Sequence, residues 1–339
     1  MAENQNVKDE REILIKVRNL KTWYPVKKGL LKRTAGYVKA VDDVSLDVYK
    51  GEILGVVGES GCGKTTLGKS ILQLIKPYSG QVLYGTGEGE DLMTMKKKEL
   101  DMMRSKMQIV FQDPYSSLNP AFTIFRSMQE PLLRFGMKNK AERKAKIASL
   151  LEAVNLPADY MERYPNEFSG GQRQRIGIAR ALSVSPEFIV CDEAVSALDV
   201  SIQAQVLQLL KDLKEKYGLT YMFITHDLSV VEYISDRIVV MYLGHIVEAA
   251  DTEELFENTL HPYTQALLSA IPIADINMRR KRIPLQGDVP SPVNPPSGCP
   301  FHPRCPKCMD ICRKERPKPV TIYRNGKPHM TCCHLVEAE

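Results

Sequence analysis

Residues 58–65 read GESGCGKT and follow a short apolar run at 53–57, a pattern typical of a strand that delivers the chain into a phosphate-binding loop and a helix. The three glycines let backbone N–H groups curl around a polyphosphate, where larger residues would obstruct the approach. Lys64 supplies a positive charge for the outer phosphates, and the Thr65 hydroxyl is placed to bind Mg²⁺. The alternative is an accidental turn, but the preceding strand and an acidic strand end later in the chain favour a nucleotide site.

An acidic pair ends the apolar run at 188–191, where Asp192 and Glu193 follow Phe-Ile-Val-Cys. In α/β proteins ligands bind at the carboxyl ends of strands, so both carboxylates are expected beside the phosphate loop. Asp192 is predicted to hold Mg²⁺, directly or through water, and Glu193 to polarise the water that attacks the γ-phosphate. The alternative is a surface acidic pair, which the buried character of the preceding strand disfavours.

A second phosphate-binding element is predicted at residues 168–172, which read Phe-Ser-Gly-Gly-Gln and open a helix that runs to about Leu182. The backbone N–H groups at the start of a helix have no partner inside the helix and attract anions. The chain therefore carries two helix ends suited to phosphate.

Composition favours a globular protein, since the chain has 339 residues, 43% of them hydrophobic, and a formal charge of +5. This length predicts a principal domain and an appendage. The apolar runs fall far short of the roughly 20 residues that span a bilayer, and the first twenty residues lack an apolar signal region. Basic clusters at 27–33 and 278–282 would suit a nucleic acid or a lipid surface, but solvated loops explain them more economically. We expect a cytosolic chain that binds no nucleic acid.

Alternating strand and helix patterns predict an α/β core. Strand-sized apolar runs lie at 13–17, 44–48, 188–191, 221–224 and 238–241, and the last three suit a parallel sheet. A helical apolar stripe stands between two of them, and a mostly helical subdomain is expected from about 123 to 182. The stripe comprises Ile202, Val206, Leu209, Leu210 and Leu213. After about residue 260 the chain becomes rich in proline and cysteine, so this tail needs a ligand, a partner or docking onto the core.

Two further polar residues also follow apolar runs, namely Gln112 and His226. A histidine that precedes Asp227 at a helix start is more often a neighbour of the cap than a catalyst, so each residue alone is weak evidence. Their place in the order matters more: an aromatic residue, the phosphate loop, Gln, SGGQ, DE, SALD and His follow one another over about 200 residues. This order resembles the ATP-binding-cassette (ABC) ATPases throughout.

The resemblance to ABC ATPases implies the fold class and the domain division. The fold class is α/β, with an ABC-type P-loop NTPase core, an antiparallel β subdomain, a helical subdomain and a Cys/Pro-rich C-terminal extension. The ABC domain is expected at 12–260, with its helical subdomain at about 114–183, and the extension at 261–339. Phe168, Arg173 and Ala194 depart from the commonest family text, but none removes a polar atom that phosphate, Mg²⁺ or water needs.

The same resemblance implies residue roles. Gln112 would sense Mg²⁺ and face a membrane partner, His226 would be the switch residue at the γ-phosphate, and Glu193 would complete the catalytic set. Tyr24 occupies the position of the aromatic that stacks on adenine, with strand packing beside Trp23 as the alternative. The expected ATP-binding set is Tyr24, Gly58, Ser60, Gly61, Cys62, Gly63, Lys64, Thr65 and Thr66, with Thr65, Gln112 and Asp192 as Mg²⁺ ligands.

In the family, SGGQ binds the γ-phosphate of the nucleotide that the opposing subunit holds, so ATP joins two such domains face to face. The signature residues here are Ser169, Gly170, Gly171 and Gln172, and the D-loop would be Ser196, Ala197, Leu198 and Asp199. The chain is therefore expected to be incomplete as a monomer.

Three longer stretches resemble one branch of the family: FQDPYSSLNP at 111–120, DEAVSALDVSIQAQVL at 192–207 and HPYTQALLSAIP at 261–272. They are similar to ATP-binding subunits of bacterial oligopeptide and dipeptide permeases, a branch that also serves nickel and some glycoside importers. The implied partners are a paralogous ATP-binding subunit, two transmembrane permease subunits and an extracytoplasmic substrate-binding protein. Coupling helices of the permease should dock at about 114–134, which places the chain peripherally on the cytoplasmic side of the membrane.

Six of the eight cysteines lie after residue 298, where a reducing cytosol disfavours disulfides and soft metals suit the thiolates. Zinc would be bound by Cys305 and Cys308, with His302, His329 or His334 as possible further ligands. The peptide-transporter branch implies instead a 4Fe-4S cluster on four thiolates. Those four are Cys299, Cys305, Cys312 and Cys333. Unliganded thiols are the third alternative, and Cys308 and Cys332 are extra to the four proposed cluster ligands.

Two other classes of function compete with the transporter. Soluble ABC ATPases of translation usually carry two cassettes, and those of DNA repair interrupt theirs with coiled coils, whereas this chain has one uninterrupted cassette. A regulatory ATP binder without turnover conflicts with the presence of Glu193 and His226. The sequence therefore favours an ATPase subunit of a peptide importer.

Overall fold

A computed structural model of the chain describes residues 11–29, 33–113, 118–271, 282–324 and 326–336. The chain forms two compact units. Unit 1 comprises 1–50, 54–93 and 226–339, and unit 2 comprises 51–53 and 94–225. Residues 114–117 of the predicted coupling region and most of the basic run at 278–282 lie outside the described residues.

Strands and helices alternate through most of the described chain, which confirms the α/β class predicted from the sequence. Within the described residues, none of the helices combines the length and the apolar character that crossing a bilayer requires. The elements are β1 (Ile13–Lys28), β2 (Arg33–Tyr49), β3 (Ile53–Val57), α1 (Lys64–Ile71), β4 (Ser79–Tyr84), β5 (Glu90–Asp91), α2 (Lys97–Lys106), β6 (Met107–Val110), α3 (Ile124–Arg134), α4 (Lys140–Ala153), α5 (Gly170–Leu182), β7 (Phe188–Asp192), α6 (Val200–Tyr217), β8 (Thr220–Ile224), α7 (Leu228–Ile234), β9 (Arg237–Tyr242), β10 (His245–Asp251), α8 (Thr252–Glu257), α9 (Pro262–Ser269), α10 (Asp310–Lys314), β11 (Val320–Arg324) and β12 (Lys327–Thr331).

Unit 1 contains the expected antiparallel sheet, with its strands in the order β2-β1-β4-β5. Strands β1 and β2 are much longer than the apolar runs that predicted them, because their ladder continues past several irregularities to the pair Lys28 and Arg33. In a second set of strands, β3 pairs in parallel with β9 and β9 pairs antiparallel with β10. All five residues of β3 are buried, as the continuous apolar pattern of a parallel strand requires.

Unit 2 contains three neighbouring parallel strands, β6, β7 and β8, and the mostly helical region that the sequence predicts. Every residue of β7 and β8 is buried. Helix α6 buries much of the predicted apolar stripe, including Val206, Leu210 and Leu213. Helix α4 begins at an N-cap, Asn139, whose side chain accepts a hydrogen bond from the Ala141 N–H.

The C-terminal tail docks within unit 1 by adding strands to it. Strand β12 pairs antiparallel with β10, and β11 pairs with β12. The sequence reasoning did not predict this hairpin. Its backbone hydrogen bonds are reinforced where the Cys332 N–H donates to the Val247 carbonyl at 2.8 Å.

A buried charged cluster fixes β12 to β10 and α8. His329 is fully buried, with Nε2 2.9 Å from a Glu248 carboxylate oxygen and Nδ1 3.0 Å from Glu254. Burial by itself lowers the pKa of His329, but the hydrogen bonds to Glu248 and Glu254 outweigh it and leave the pKa raised above 6.5. When it is protonated, the imidazole donates to both carboxylates and ties β12 to β10 and α8.

We expect His329→Gln to destabilise unit 1, because removal of one partner from a buried ion pair costs about 3–5 kcal/mol. A raised folded pKa means that this stabilisation is complete below the unfolded value of about 6.5 and is lost as pH rises through the folded pKa. Thermal unfolding midpoints should therefore differ most between wild type and variant near pH 6, and less at higher pH.

The matched control is His334→Gln, since His334 bonds only a backbone carbonyl, that of Glu315, at 3.0 Å. This control should keep the wild-type midpoint at every pH. The pKa of Glu254 is lowered, because hydrogen bonds to His329 and Asn258 outweigh the effect of burial. The stability that ionised Glu254 contributes to the folded state is therefore lost as the pH falls through its folded pKa. A pH-independent difference for His329→Gln would contradict the assignment.

Candidate functional site

The phosphate loop in unit 1 runs so close to its neighbours that two of its positions admit only glycine. Gly58 has φ of 151°, and a Cβ there would collide with the Met241 carbonyl oxygen. Gly63 has φ of 106°, and a Cβ there would collide with the Ala40 carbonyl oxygen. Gly63 is also the N-cap of α1, so the loop leads directly into a helix N-terminus, the end of a helix that attracts anions.

Lys64 lies inside the loop rather than in solvent. Its Nζ donates to the carbonyl oxygens of Gly58 at 2.8 Å and Glu59 at 3.1 Å, and the residue is 4% exposed. The neighbouring Cys62 thiol is also buried, and burial raises its pKa despite the nearby Lys64 charge. Cys62 is thus neutral near pH 7 and adds no negative charge to a loop that is predicted to bind phosphate.

In unit 2 the acidic strand end is joined to the glutamine that follows β6. Asp192 is the last residue of β7 and is 5% exposed, and Glu193 follows it with φ of 49°. Gln112 Nε2 donates to Glu193 Oε2 at 2.8 Å, which leaves the Gln112 amide oxygen as an acceptor. The Ser196 hydroxyl donates to the Glu193 carbonyl oxygen at 3.0 Å and fixes the turn that leads into the predicted D-loop.

The SGGQ segment forms the start of α5, as predicted. Ser169 is the N-cap, its hydroxyl accepts from the Gln172 N–H at 3.3 Å, and the Gln172 side chain accepts from the Ser169 N–H at 3.0 Å. This reciprocal capping box fixes Ser169, which remains exposed. The departure at Arg173 has a structural role, because its Nε donates to the Pro165 carbonyl at 2.6 Å.

The second glycine of SGGQ is required by packing within unit 2. A Cβ at Gly171 would lie 2.5 Å from Ile202 Cγ2 of α6, whereas a Cβ at Gly170 would make an ordinary contact at 3.6 Å with Leu198. The signature segment therefore packs directly on the D-loop region. A groove there is lined by Gln112, Asp113, Ser169, Gly170, Gly171, Ala197, Leu198, Asp199 and Ile202.

Trp23 and Tyr24 are neighbours on β1, but their side chains have different surroundings. Trp23 stacks on Tyr78 with ring centroids 4.7 Å apart and an interplanar angle of 18°. Tyr24, which alternates to the other face of the strand, is 38% exposed. Packing therefore occupies Trp23 and leaves the Tyr24 ring accessible.

The remaining predicted residues lie near element ends. Ser60 and Gly61 are exposed in the phosphate loop, and Thr65 and Thr66 lie in the first turn of α1. His226 is exposed and precedes Asp227, the N-cap of α7, whose carboxylate accepts from the Ser229 N–H at 2.9 Å. His226 is thus a neighbour of a helix cap, the placement that the sequence analysis gave as the alternative to a catalytic role.

Four tail thiols lie within electrostatic reach of one another. Burial raises the pKa of Cys299 to about 11, and three further cysteines raise it as well; these are Cys312, Cys333 and Cys305. Among the described residues, however, no three metal-binding side chains converge on a single ion. His329 uses both ring nitrogens on glutamates, and His302 Nδ1 lies 3.0 Å from the Cys299 carbonyl oxygen.

Sequence reasoning missed the contacts of the C-terminal tail with the phosphate loop. Arg304 of the tail makes two bonds to the Glu59 carboxylate, at 2.6 and 3.0 Å. The two residues are 245 positions apart, so no local pattern could have paired them. The single available signal is the position of Glu59 inside a phosphate-binding motif.

Comparison with known protein families identifies the class. Residues 41–196 match the family model described as ABC transporter, and residues 247–312 match that described as oligopeptide/dipeptide transporter, C-terminal region. The chain therefore belongs to the ABC transporter ATPases, a family of ATP-hydrolysing cassettes.

Curated relatives match almost the whole chain. It is 49% identical over 329 residues to the oligopeptide transport ATP-binding protein AppF of Bacillus subtilis, covering 96% of this chain and 98% of that protein. It is likewise 49% identical over 326 residues to the dipeptide transport ATP-binding protein DppF of Haemophilus influenzae, with coverages of 96% and 98%. Among solved structures, the dimeric bacterial ABC transporter cassette MJ0796 is 30% identical with a TM-score of 0.62, covering 70% of this chain and 99% of that one.

We expect Gly171→Ala to destabilise the protein by about 1–3 kcal/mol, because the added methyl group overpacks against Ile202. Gly177→Ala is the matched control in the same helix, since a Cβ there meets nothing within 4 Å. That control should stabilise the helix by up to about 1 kcal/mol. Urea unfolding monitored by circular dichroism measures both.

A second variant isolates the clash. Ile202→Ala in the Gly171→Ala background removes the Cγ2 atom and should recover part of the lost stability. Equal midpoints for Gly171→Ala and Gly177→Ala would show that the signature helix does not need this close approach.

Proposed function

We propose that the chain is the ATP-binding and ATP-hydrolysing subunit of an importer of dipeptides or oligopeptides. The observation that carries this proposal is the pair of helix N-termini at the two motifs predicted to bind phosphate, α1 after the glycine loop and the exposed, capped start of α5. The names of the relatives supply the substrate class, because AppF is an oligopeptide and DppF a dipeptide transport ATP-binding protein.

At the phosphate loop, backbone N–H groups from Ser60 to Thr66 would cradle the phosphates of this chain's own nucleotide. Lys64 would move its Nζ from the loop carbonyls to the outer phosphates, a short shift because it already lies inside the loop. Tyr24 would stack on adenine with the ring face that packing leaves accessible.

The metal donor set proposed here is a hydroxyl from Thr65, the amide oxygen of Gln112 and a carboxylate from Asp192. These are the hard oxygen ligands that Mg²⁺ prefers, and the hydrogen bond from Gln112 Nε2 to Glu193 leaves the amide oxygen for such a role. When bound, Mg²⁺ would neutralise charge that develops on the transferring phosphoryl group.

Glu193 would be the general base for the attacking water. Its backbone N–H donates to the Ile224 carbonyl oxygen at 2.9 Å, and its carboxylate accepts a hydrogen bond from Gln112. Both the backbone and the carboxylate of Glu193 are therefore fixed in position. His226, exposed before α7, would act as the switch residue at the γ-phosphate. Ser169 and the following glycines would bind the γ-phosphate held by a partner subunit, and Ser196–Asp199 would form the D-loop.

The partners proposed are a paralogous ATP-binding subunit, two transmembrane permeases and an extracytoplasmic substrate-binding protein. The chain would lie peripherally on the cytoplasmic face of the membrane, with the region at 114–134 facing the permeases. Binding of ATP to both subunits would stabilise the closed dimer by mass action, and hydrolysis would release it.

We expect Glu193→Gln to bind ATP with unchanged affinity and to lose about 10²–10⁴-fold in turnover, since the amide cannot accept the proton of the attacking water. Nucleotide titration and phosphate release on the reconstituted importer measure the two effects. Glu187→Gln, the same change at a surface ion pair with Lys106, is the control and should keep normal turnover. Normal hydrolysis by Glu193→Gln would remove this residue as the base.

The importer reconstituted in lipid vesicles also tests which class of substrate is transported. With its binding protein and permeases, the wild-type importer should hydrolyse ATP faster when dipeptides or oligopeptides are supplied, and the stimulation should disappear in Glu193→Gln. Stimulation by nickel or a glycoside alone would overturn the peptide assignment while leaving the ATPase intact.

We also propose that Cys299, Cys305, Cys312 and Cys333 hold a 4Fe-4S cluster. Burial raises the pKa values of Cys299 and Cys305, and other thiols of the proposed set raise them further, although Cys308 also raises that of Cys305. A four-iron cluster offers four separate attachment points and does not require convergence on one ion. The two extra cysteines make other contacts: Cys308 Sγ donates to the Met309 carbonyl, and Cys332 Sγ lies 3.9 Å from Met330 Sδ.

We expect anaerobically prepared protein to contain about four irons and matching labile sulfide per chain. Cys305→Ser should lose the iron, because it removes a proposed ligand, whereas the neighbouring Cys308→Ser should retain it. Metal and sulfide analysis measures both variants. Zinc without iron, or equal iron loss in both variants, would contradict the cluster.

A further inference from the structure

Within unit 1, the short segment between Cys299 and Cys305 is firmly packed. Phe301 is 1% exposed, and its ring lies 5.2 Å from that of Tyr242 and 5.4 Å from that of Tyr263. The Cys299 N–H donates to the Cys312 carbonyl oxygen at 2.8 Å. The segment therefore presents its polar side chains in fixed positions.

Arg304 projects from this segment onto the phosphate loop. Nη1 and Nη2 donate separately to the two carboxylate oxygens of Glu59, and the arginine side chain is 7% exposed. A two-bond arginine–carboxylate pair is both stronger and more directional than a single ion pair. Glu59 is the second residue of the loop, directly after Gly58.

The backbone of Glu59 is also bonded by a residue of the C-terminal tail. Its N–H donates to the Tyr263 hydroxyl oxygen at 2.8 Å, and Tyr263, on α9, is fully buried. The Glu59 carbonyl in turn accepts from Lys64 Nζ. The side chain, the N–H and the carbonyl of one loop residue are thus all engaged, two of them by residues after position 260.

The chemistry of Glu59 makes this attachment relevant to nucleotide binding. A carboxylate within a phosphate loop repels a polyphosphate, and the repulsion is larger away from bulk water. Arg304 neutralises that carboxylate and fixes its direction. Without Arg304, the loop would carry an unpaired negative charge next to Lys64.

We infer that Arg304 and Tyr263 are positioning residues for the phosphate loop, through which the C-terminal tail sets the affinity for ATP. They act on Glu59 and do not contact the nucleotide themselves. The tail then supports the nucleotide site as well as extending the fold, and the inference rests on the phosphate loop being the site of ATP binding.

The test measures ATP affinity by titration and the KM and kcat of hydrolysis. Arg304→Ala is expected to weaken ATP binding about 10-fold, with KM raised and kcat at saturating ATP nearly unchanged. Tyr263→Phe, which keeps the ring and removes the acceptor of the Glu59 N–H, is expected to weaken binding less. Lys327→Ala breaks another ion pair of the tail, with Asp251 at 3.1 Å, and should leave ATP affinity unchanged.

A charge-specific rescue separates the effect of Arg304 on the Glu59 charge from a loss of fold. Glu59→Gln in the Arg304→Ala background removes the unpaired carboxylate and should restore most of the lost affinity, whereas a folding defect would persist. Wild-type affinity in Arg304→Ala, or no recovery in the double variant, would overturn the inference.

Lys64→Ala keeps the two hypotheses apart. If Lys64→Ala loses ATP binding while Arg304→Ala retains it, only the role of the tail is wrong. If Lys64→Ala binds ATP as wild type does, the phosphate loop itself is not the site, and both the nucleotide assignment and the inference fall.

Discussion

The close approach between the phosphate loop and neighbouring backbone carbonyls is the constraint on which unit 1 depends. Gly58 and Gly63 are the positions where the loop passes against Met241 and Ala40. The Gly244 N–H donates to the Cys62 carbonyl at 2.9 Å, and the Asp42 N–H donates to the Gly244 carbonyl at 2.9 Å. Strand β2, the loop and the turn between β9 and β10 are therefore one hydrogen-bonded block, and the loop's N–H groups stay directed by it.

The two elements predicted to bind phosphate use glycine for different physical reasons. In the phosphate loop the glycines allow backbone conformations and contacts that a Cβ forbids. In the signature segment Gly171 is helical, and its role is to let α5 approach Ile202 of α6. The capping box of Ser169 and Gln172 then orients the exposed start of that helix. A substitution on α6 can therefore shift the signature segment although the sequence of that segment is unchanged.

The sequence predicted those features whose cause is local. Strand β3 has the predicted bounds, and α5 ends at the predicted Leu182. The hydrogen bond between Gln112 and Glu193, which are 81 positions apart, was not predicted, and it arises because the two residues follow neighbouring parallel strands. The hairpin of β11 and β12 was missed, although an Asn-Gly pair at 325–326 is a known turn signal between strands. The Arg304 contact with Glu59 had no local cause, since tertiary packing alone brings the two residues together. The lengths of β1 and β2 were underestimated for a related reason. The polar ends of these two strands are extended because they hydrogen-bond to each other, which the apolar pattern does not reveal.

The pairing of β12 with β10 gives the tail a further role in solubility. Beside β10, the hairpin covers a row of N–H and C=O groups, including the Val247 carbonyl that accepts from Cys332. A chain cut after residue 260 would turn β10 into an open edge, which is a template for intermolecular strand pairing and aggregation. Poor behaviour of a truncated cassette would then report an uncovered sheet edge, and would say nothing about whether the cassette can hydrolyse ATP.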